Sequence, residues 1–186
     1  PLRTAVAHPC DESSLSGTIE AFQAGLIKPI LVGPAGKIRS IAEKLSLDIS
    51  GLEIIDVPHS QAAAERAVAL VREAKAELLM KGSLHSDEIL GEVTKRDGLR
   101  TGRRVSHVFI MDVPTHPETL FITDAAVNIA PDLMAKRDIV QNAIDLFVGL
   151  GLGTPKVAIL SAVETVTVAI PSTIEAAALC KMADRG

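Results

Sequence analysis

Short apolar runs separated by stretches one helix long constrain this chain more than any other feature. Arg3–Ala7, Pro29–Val32, Glu53–Val57 and Leu78–Met80 read as strands. Between them Ser13–Ala24, Pro34–Leu45 and the Ala-rich stretch Ser60–Ala74 read as helices, the last with Ser60 as its N-cap. That rhythm is the one of linked βαβ units, and it predicts an α/β fold with a doubly wound, mostly parallel sheet. With no Trp, no Tyr and four Phe, the core must be built from Ala, Val, Ile and Leu, which suits strands covered by helices on both faces.

Beyond Met80 the rhythm changes. A short helix over Ser86–Arg96 leads through the basic loop Arg100–Arg104 to strands Val105–Val113 and Leu120–Thr123, and Pro114–Thr119 between them is short enough for a hairpin. Asp132–Leu150 carries apolar residues at helical spacing and stops at Gly151. Val157–Leu160 reads as a buried strand, and Ser172–Met182 as a helix opened by the capping-box pattern Ser172 to Glu175. One strand and one helix cannot bury their own apolar faces. The expectation is therefore a first α/β domain over 1–145 and a second, incomplete one over 146–186 whose partner segment lies outside this sequence.

Several function classes receive no support. A net charge of -4 and the lack of stacking aromatics argue against nucleic acid as a partner. No apolar run is long enough for a membrane span and the chain opens without a secretory leader, so a cytoplasmic location is expected. Cys10 and Cys180 lack metal-type or C-x-x-C spacing and read as buried free thiols. Gly33–Ile38 places its glycines too close for a phosphate-binding loop and is a strand-to-helix turn, while Gly149–Gly153 is a helix stop. No metal site is expected.

The candidate chemistry lies between Leu78 and Asp132. Three successive apolar runs end there in small and polar residues, and in an open parallel sheet such ends line the ligand crevice. Lys81, Ser83, His85, Ser106, His107, Asp124 and Asn128 are therefore candidates for holding a small polar or anionic substrate. Each has a plainer reading. His85 and His107 suit a structural bond to a loop carbonyl as well as chemistry, Asp124 suits a turn cap, and Asn128 suits support of the loop backbone. Arg100, Arg103 and Arg104 fit a solvated edge, or else bidentate grips on phosphate. Covalent acyl-enzyme chemistry lacks its Ser-His-Asp order.

Together Lys81–Ser83, Val105–Met111, Thr123–Asp132 and Ile159–Val166 resemble the phosphate acetyltransferase and phosphate butyryltransferase family, and the likeness runs from about Arg3 to Gly186. The Lys-Gly-Ser segment is similar to that of butyryl-type members and of phosphotransacylases fused to an enoyl-CoA hydratase. The resemblance implies a fold like that of isocitrate and isopropylmalate dehydrogenases, with two α/β domains facing across a cleft, usually in a homodimer. It implies reversible transfer of an acetyl or butyryl group between coenzyme A and inorganic phosphate, the deprotonated thiol attacking the acyl phosphate. Coenzyme A is then a substrate and no cofactor is expected. By the same resemblance Ser106 contacts the substrate phosphate or carbonyl, and Lys81, Gly82 and Ser83 form the loop facing it. An arginine frequent on the following helix is replaced here by Gly91, which leaves Arg103 or Arg104 to meet phosphate charge. The family's Ser-Arg pair and its aspartate base fall beyond Gly186, so the catalytic residues are expected outside this chain. Two alternatives stand beside this reading: a noncatalytic acyl-CoA-binding regulatory domain of the same fold, and a metal-dependent decarboxylating dehydrogenase of related fold.

Overall fold

The computed structural model describes residues 1–185 and divides them into two compact units, Pro1–Arg100 and a second beginning at Thr101. In the first unit strands and helices alternate: β1 (Leu2–Ala7), α1 (Glu12–Gln23), β2 (Ile27–Gly33), α2 (Ala35–Lys44), β3 (Glu53–Asp56), α3 (Ser60–Arg72), β4 (Leu78–Lys81) and α4 (Ser86–Thr94). The four strands form one parallel sheet in the order β3-β2-β1-β4.

Side chains alternate across that sheet, and each set meets its own helices. Ala5 and Ala7 of β1 and Ile30 and Val32 of β2 face α3 and α4, where Ala63, Ala64, Ala67, Leu70 and Ile89 are buried against them. Val6 and Leu31 point the other way, into Leu15 and Ile19 of α1 and Ile38 and Ala42 of α2. The alanines of α3 opposite Ala5 and Ala7 let helix and sheet approach closely. Covering on both faces is the expected doubly wound arrangement.

Helix starts are fixed by side chains that take up free backbone N–H groups. Asp11 Oδ1 accepts from the Ser14 N–H at 2.8 Å to open α1, and Asp56, at the end of β3, accepts from the Ala35 N–H at 2.8 Å to open α2. For α3 the cap is His59 and not Ser60. His59 Nδ1 accepts from the Ala62 N–H at 3.2 Å, whereas the Ser60 hydroxyl reaches across to Glu88 Oε1 at 2.6 Å. With His59 as the cap, the Ser60 hydroxyl is free to join α3 to α4.

The second unit contains β5 (Val108–Met111) and β6 (Leu120–Thr123), paired antiparallel as the expected hairpin, then α5 (Leu133–Gly149) and α6 (Pro171–Arg185). Phe121 of β6 meets Phe147 of α5 edge-on at 5.0 Å between centroids, and an ion pair of Lys136 with Glu175 joins α5 to α6. Asp132 caps α5 through the Ala135 N–H at 2.8 Å, and the helix stops before Gly151, whose φ of 73° suits glycine. None of the described helices is long and apolar enough to cross a membrane.

Several expectations need correction. Val157–Leu160 is not a strand: Val157 is 52% and Leu160 89% exposed, and with no neighbouring strand among the described residues its backbone groups find no ladder. The Ser172–Glu175 capping box does not form. Helix α6 already begins at Pro171, the Ser172 hydroxyl pairs with that of Ser161 at 2.7 Å, and Glu175 is taken by Lys136. Of the two free cysteines Cys10 is buried, but Cys180 is exposed on α6.

Candidate functional site

The candidate residues fall into two groups, one in each unit, and each group has its own geometry. They do not line successive ends of a single parallel sheet as expected. Only Lys81–His85 follow a parallel strand; Ser106 and His107 precede β5, and Asp124 and Asn128 follow β6, in the antiparallel pair. The expected strand Val105–Val113 is shorter because Val105, Ser106 and His107 are held by other partners.

In the first unit the ends of β1 and β4 are bound together. The Gly82 N–H donates to the Ala7 carbonyl at 2.8 Å and the Ser83 N–H to the His8 carbonyl at 2.9 Å. A Cβ on Gly82 would lie 2.5 Å from each of those two carbonyl oxygens, so the close approach depends on glycine. Ser83 Oγ accepts the Cys10 N–H at 3.2 Å and lies 3.0 Å from the His8 carbonyl and 3.2 Å from His8 Nδ1. Lys81 is exposed, and among the described residues its ammonium bonds only the Gly82 carbonyl, at 3.3 Å. His85 is exposed at the start of α4, where its backbone N–H is held by Glu88 at 2.9 Å. Burial lowers the pKa of His8 and pushes the Cys10 thiol up, which makes Cys10 a poor nucleophile.

In the second unit the loop before β5 is held by α5. Asn142 Nδ2 donates to Ser106 Oγ at 2.9 Å and to the Arg104 carbonyl at 2.8 Å. Because Ser106 Oγ accepts this bond, its own hydroxyl hydrogen is left to donate to a ligand oxygen. The Arg103 guanidinium is taken by Asp145, while Asp138 accepts the Arg104 backbone N–H at 3.1 Å and leaves the Arg104 guanidinium without a partner among the described residues. His107 does not bond a loop carbonyl: its ring packs edge-on against Phe109 at 4.4 Å, and its Nδ1 is buried without a hydrogen-bond partner. The plainer readings of Asp124 and Asn128 are the observed ones. Asp124 accepts the backbone N–H groups of Ala126, Val127 and Asn128, and Asn128 Nδ2 holds the Val105 carbonyl at 3.0 Å. Among the described residues no three His, Cys, Asp or Glu side chains converge as metal ligands.

Two residues escaped the sequence reading. His8, which precedes Pro9 in the sequence, stands at the end of β1 against Ser83. Asn142 was passed over inside a helix. Its signal was present: Asp138, Asn142 and Asp145, spaced four and three apart, form a polar stripe on α5 complementary to the Arg100–Arg104 loop.

Comparison with known proteins places these groups in context. A phosphate acetyltransferase of Rhizobium meliloti is 70% identical over the whole of this chain, which covers 59% of that protein. A phosphate butyryltransferase of Clostridium acetobutylicum is 40% identical over 99% of this chain and 62% of its own length. A branched-chain phosphotransacylase from Enterococcus faecalis, at 24% identity, shares the fold with a TM-score of 0.79 over 98% of this chain and 64% of that one. The chain thus spans about three fifths of the length of these relatives. The family model described as phosphate acetyl/butaryl transferase matches residues 60–186, two thirds of the sequence and the part that holds Lys81–His85 and all the candidates of the second unit, and the chain belongs to that family.

Proposed function

We propose that the polypeptide containing this chain transfers an acyl group reversibly between coenzyme A and inorganic phosphate. In the forward sense the thiolate of coenzyme A forms a C–S bond at the carbonyl of the acyl phosphate, the C–O bond to phosphate breaks, and phosphate leaves with the electron pair. The thiol proton passes to a base that the resemblance locates beyond Gly186. Oxyanion charge develops on the carbonyl and phosphoryl oxygens, so fixed donors near them carry the rate.

The Ser106 hydroxyl carries this reading, because Asn142 occupies its acceptor side and leaves its hydrogen for such an oxygen. The unpartnered Arg104 guanidinium is the nearby cation suited to phosphate. Arg103, bound to Asp145, stiffens the loop. His107, the next residue and partly exposed, is a further substrate contact in this reading. Lys81, Gly82, Ser83 and His85 are the substrate contacts that this reading assigns to the first unit. The same reading includes a fold of isocitrate dehydrogenase type with domains at 1–145 and from 146 onward, a cytoplasmic homodimer, and coenzyme A as substrate without a cofactor. The greater length of the relatives supports the two-domain part.

Thioester formation from acetyl or butyryl phosphate and coenzyme A by the complete polypeptide is the test. Activity is expected, and in Ser106→Ala kcat/KM for the acyl phosphate should fall about a hundredfold, the cost of one oxyanion donor. No thioester from either acyl phosphate overturns the reading, and unchanged kinetics in the variant remove Ser106 from the site.

A further inference from the structure

Asn142 has no step of its own in acyl transfer, yet α5 aims it at Ser106. Asp138, Asn142 and Asp145 recur at four and three residues along that helix and therefore share a face. The two carboxylates grip the loop on either side of the amide: Asp138 accepts the Arg104 N–H at 3.1 Å, and Asp145 pairs with the Arg103 guanidinium. Between them Asn142 reaches the Arg104 carbonyl at 2.8 Å and Ser106 Oγ at 2.9 Å.

The surroundings fix which way this amide points. A carbonyl can only accept, so the nitrogen of Asn142 and not its oxygen faces Arg104. Oδ1 is thereby turned toward the Arg103 guanidinium, 3.5 Å away, which can only donate. Nδ2 carries two hydrogens, one for the Arg104 carbonyl and one for Ser106 Oγ. The serine hydrogen cannot point back along that bond, and it finds no acceptor among the described residues. A second amide steadies the same backbone, because Asn128 holds the Val105 carbonyl at 3.0 Å. The carbonyls of both residues before Ser106 are thus tied to side chains, and the half-buried serine has little freedom to turn. A hydroxyl that accepts one hydrogen bond is also polarised into a stronger donor of the next.

We propose that Asn142 is a positioning residue of the acyl-transfer site, whose amide commits the Ser106 hydroxyl to donate outward to an oxygen of the acyl phosphate or of inorganic phosphate. The inference rests on the acyltransferase reading for the molecule that brings this oxygen.

A double-mutant cycle with Ser106→Ala in the complete polypeptide tests it. Asn142→Ala lets the hydroxyl turn and removes its polarising partner, so kcat/KM for the acyl phosphate should fall about tenfold. Asn142→Asp keeps the shape but offers an acceptor in place of the donor. It should draw the serine hydrogen inward, with a loss approaching the roughly hundredfold expected of Ser106→Ala. If Asn142 acts through the serine, neither substitution should lower kcat/KM by more than about twofold in the Ser106→Ala background. A residue that only supports the loop would weaken both backgrounds alike. A further loss of about tenfold in the double variant therefore overturns the proposal, as does full activity in Asn142→Asp. Equilibrium binding of inorganic phosphate to the same proteins separates the inference from the activity. Without thioester formation, non-additive weakening of phosphate binding would uphold Asn142 and defeat the acyltransferase reading. Acyl transfer lost in Ser106→Ala but kept in both Asn142 variants would do the reverse, and the absence of both thioester formation and phosphate binding overturns both.

Discussion

Gly82→Ala should be severely damaging for a single added methyl, with a loss of about 3 kcal/mol and a drop in Tm on the order of 10 °C. The added Cβ would sit 2.5 Å from the carbonyl oxygens of Ala7 and His8. Both belong to backbone anchored in the sheet, since the Ala7 carbonyl accepts the Gly82 N–H and the His8 N–H donates to Val32. Neither can swing aside as a flexible side chain would, so relief requires parting β4 from β1 and breaking the bonds that hold Ser83 against His8. Gly91→Ala is the matched control. That glycine lies in α4 with open space around its would-be Cβ, and alanine there should stabilise by about 0.5–1 kcal/mol through lower chain entropy. Denaturant melts of both variants decide the matter. Equal stabilities would mean that β1 and β4 part easily and that the Ser83–His8 contact is not held rigidly.

The parallel half of the fold was legible because its determinants are local and repeated. Val6 and Leu31 are each flanked by residues of the opposite face, and every helix between the strands has an apolar stripe to cover one side. Periodicity also located α5, with Asp132 at its start and Gly151 past its end. It failed where an apolar run lacks a neighbour. Val157–Leu160 has strand composition, but a strand is a relation between two segments, and no second one lies beside it among the described residues. The capping patterns misled for a similar reason. Ser60 and Glu175 have the right residue types at the right spacing, yet long-range partners, Glu88 and Lys136, compete for them.

Site residues were legible as a set but less so in their roles. The polar residues near β4, β5 and β6 were found from composition at run ends, although they follow strands of two units rather than of one parallel sheet. What the sequence conceals is which atoms remain free once the backbone is satisfied. Arg103 and Arg104 are adjacent and alike, yet Asp145 occupies one guanidinium and leaves the other without a partner among the described residues. Ser83 and Ser106 are both loop serines, but one hydroxyl spends its hydrogen on His8 while Asn142 leaves the other's free. Such distinctions follow from hydrogen-bond accounting across residues 36 to 75 positions apart, which no local pattern encodes.

Asp124→Ala should unsettle the second unit by about 2–3 kcal/mol, through the loop rather than by loss of a ligand contact. Three backbone N–H groups, those of Ala126, Val127 and Asn128, converge on this one carboxylate, and the Asn128 side-chain amide joins them. Although burial works to raise the pKa of Asp124, bonds from Val127, Ala126 and Asn128 outweigh it and hold the carboxyl below its ordinary range. Since the folded-state value is depressed, the stabilisation is fully present above the unfolded pKa and is lost as pH falls below about 4, where wild type and variant should converge. The consequence reaches Ser106: Asp124 fixes Asn128, Asn128 fixes the Val105 carbonyl, and Ser106 follows in the chain. Hydrogen exchange at Ala126, Val127 and Asn128 should therefore accelerate together with a loss of acyl transfer in Asp124→Ala. Asp124→Asn separates the two roles, because its amide oxygen still accepts from part of the loop. If Asp124 acts through structure, Asn should recover protection and activity in step; full protection with activity still lost would instead place this carboxylate in contact with substrate.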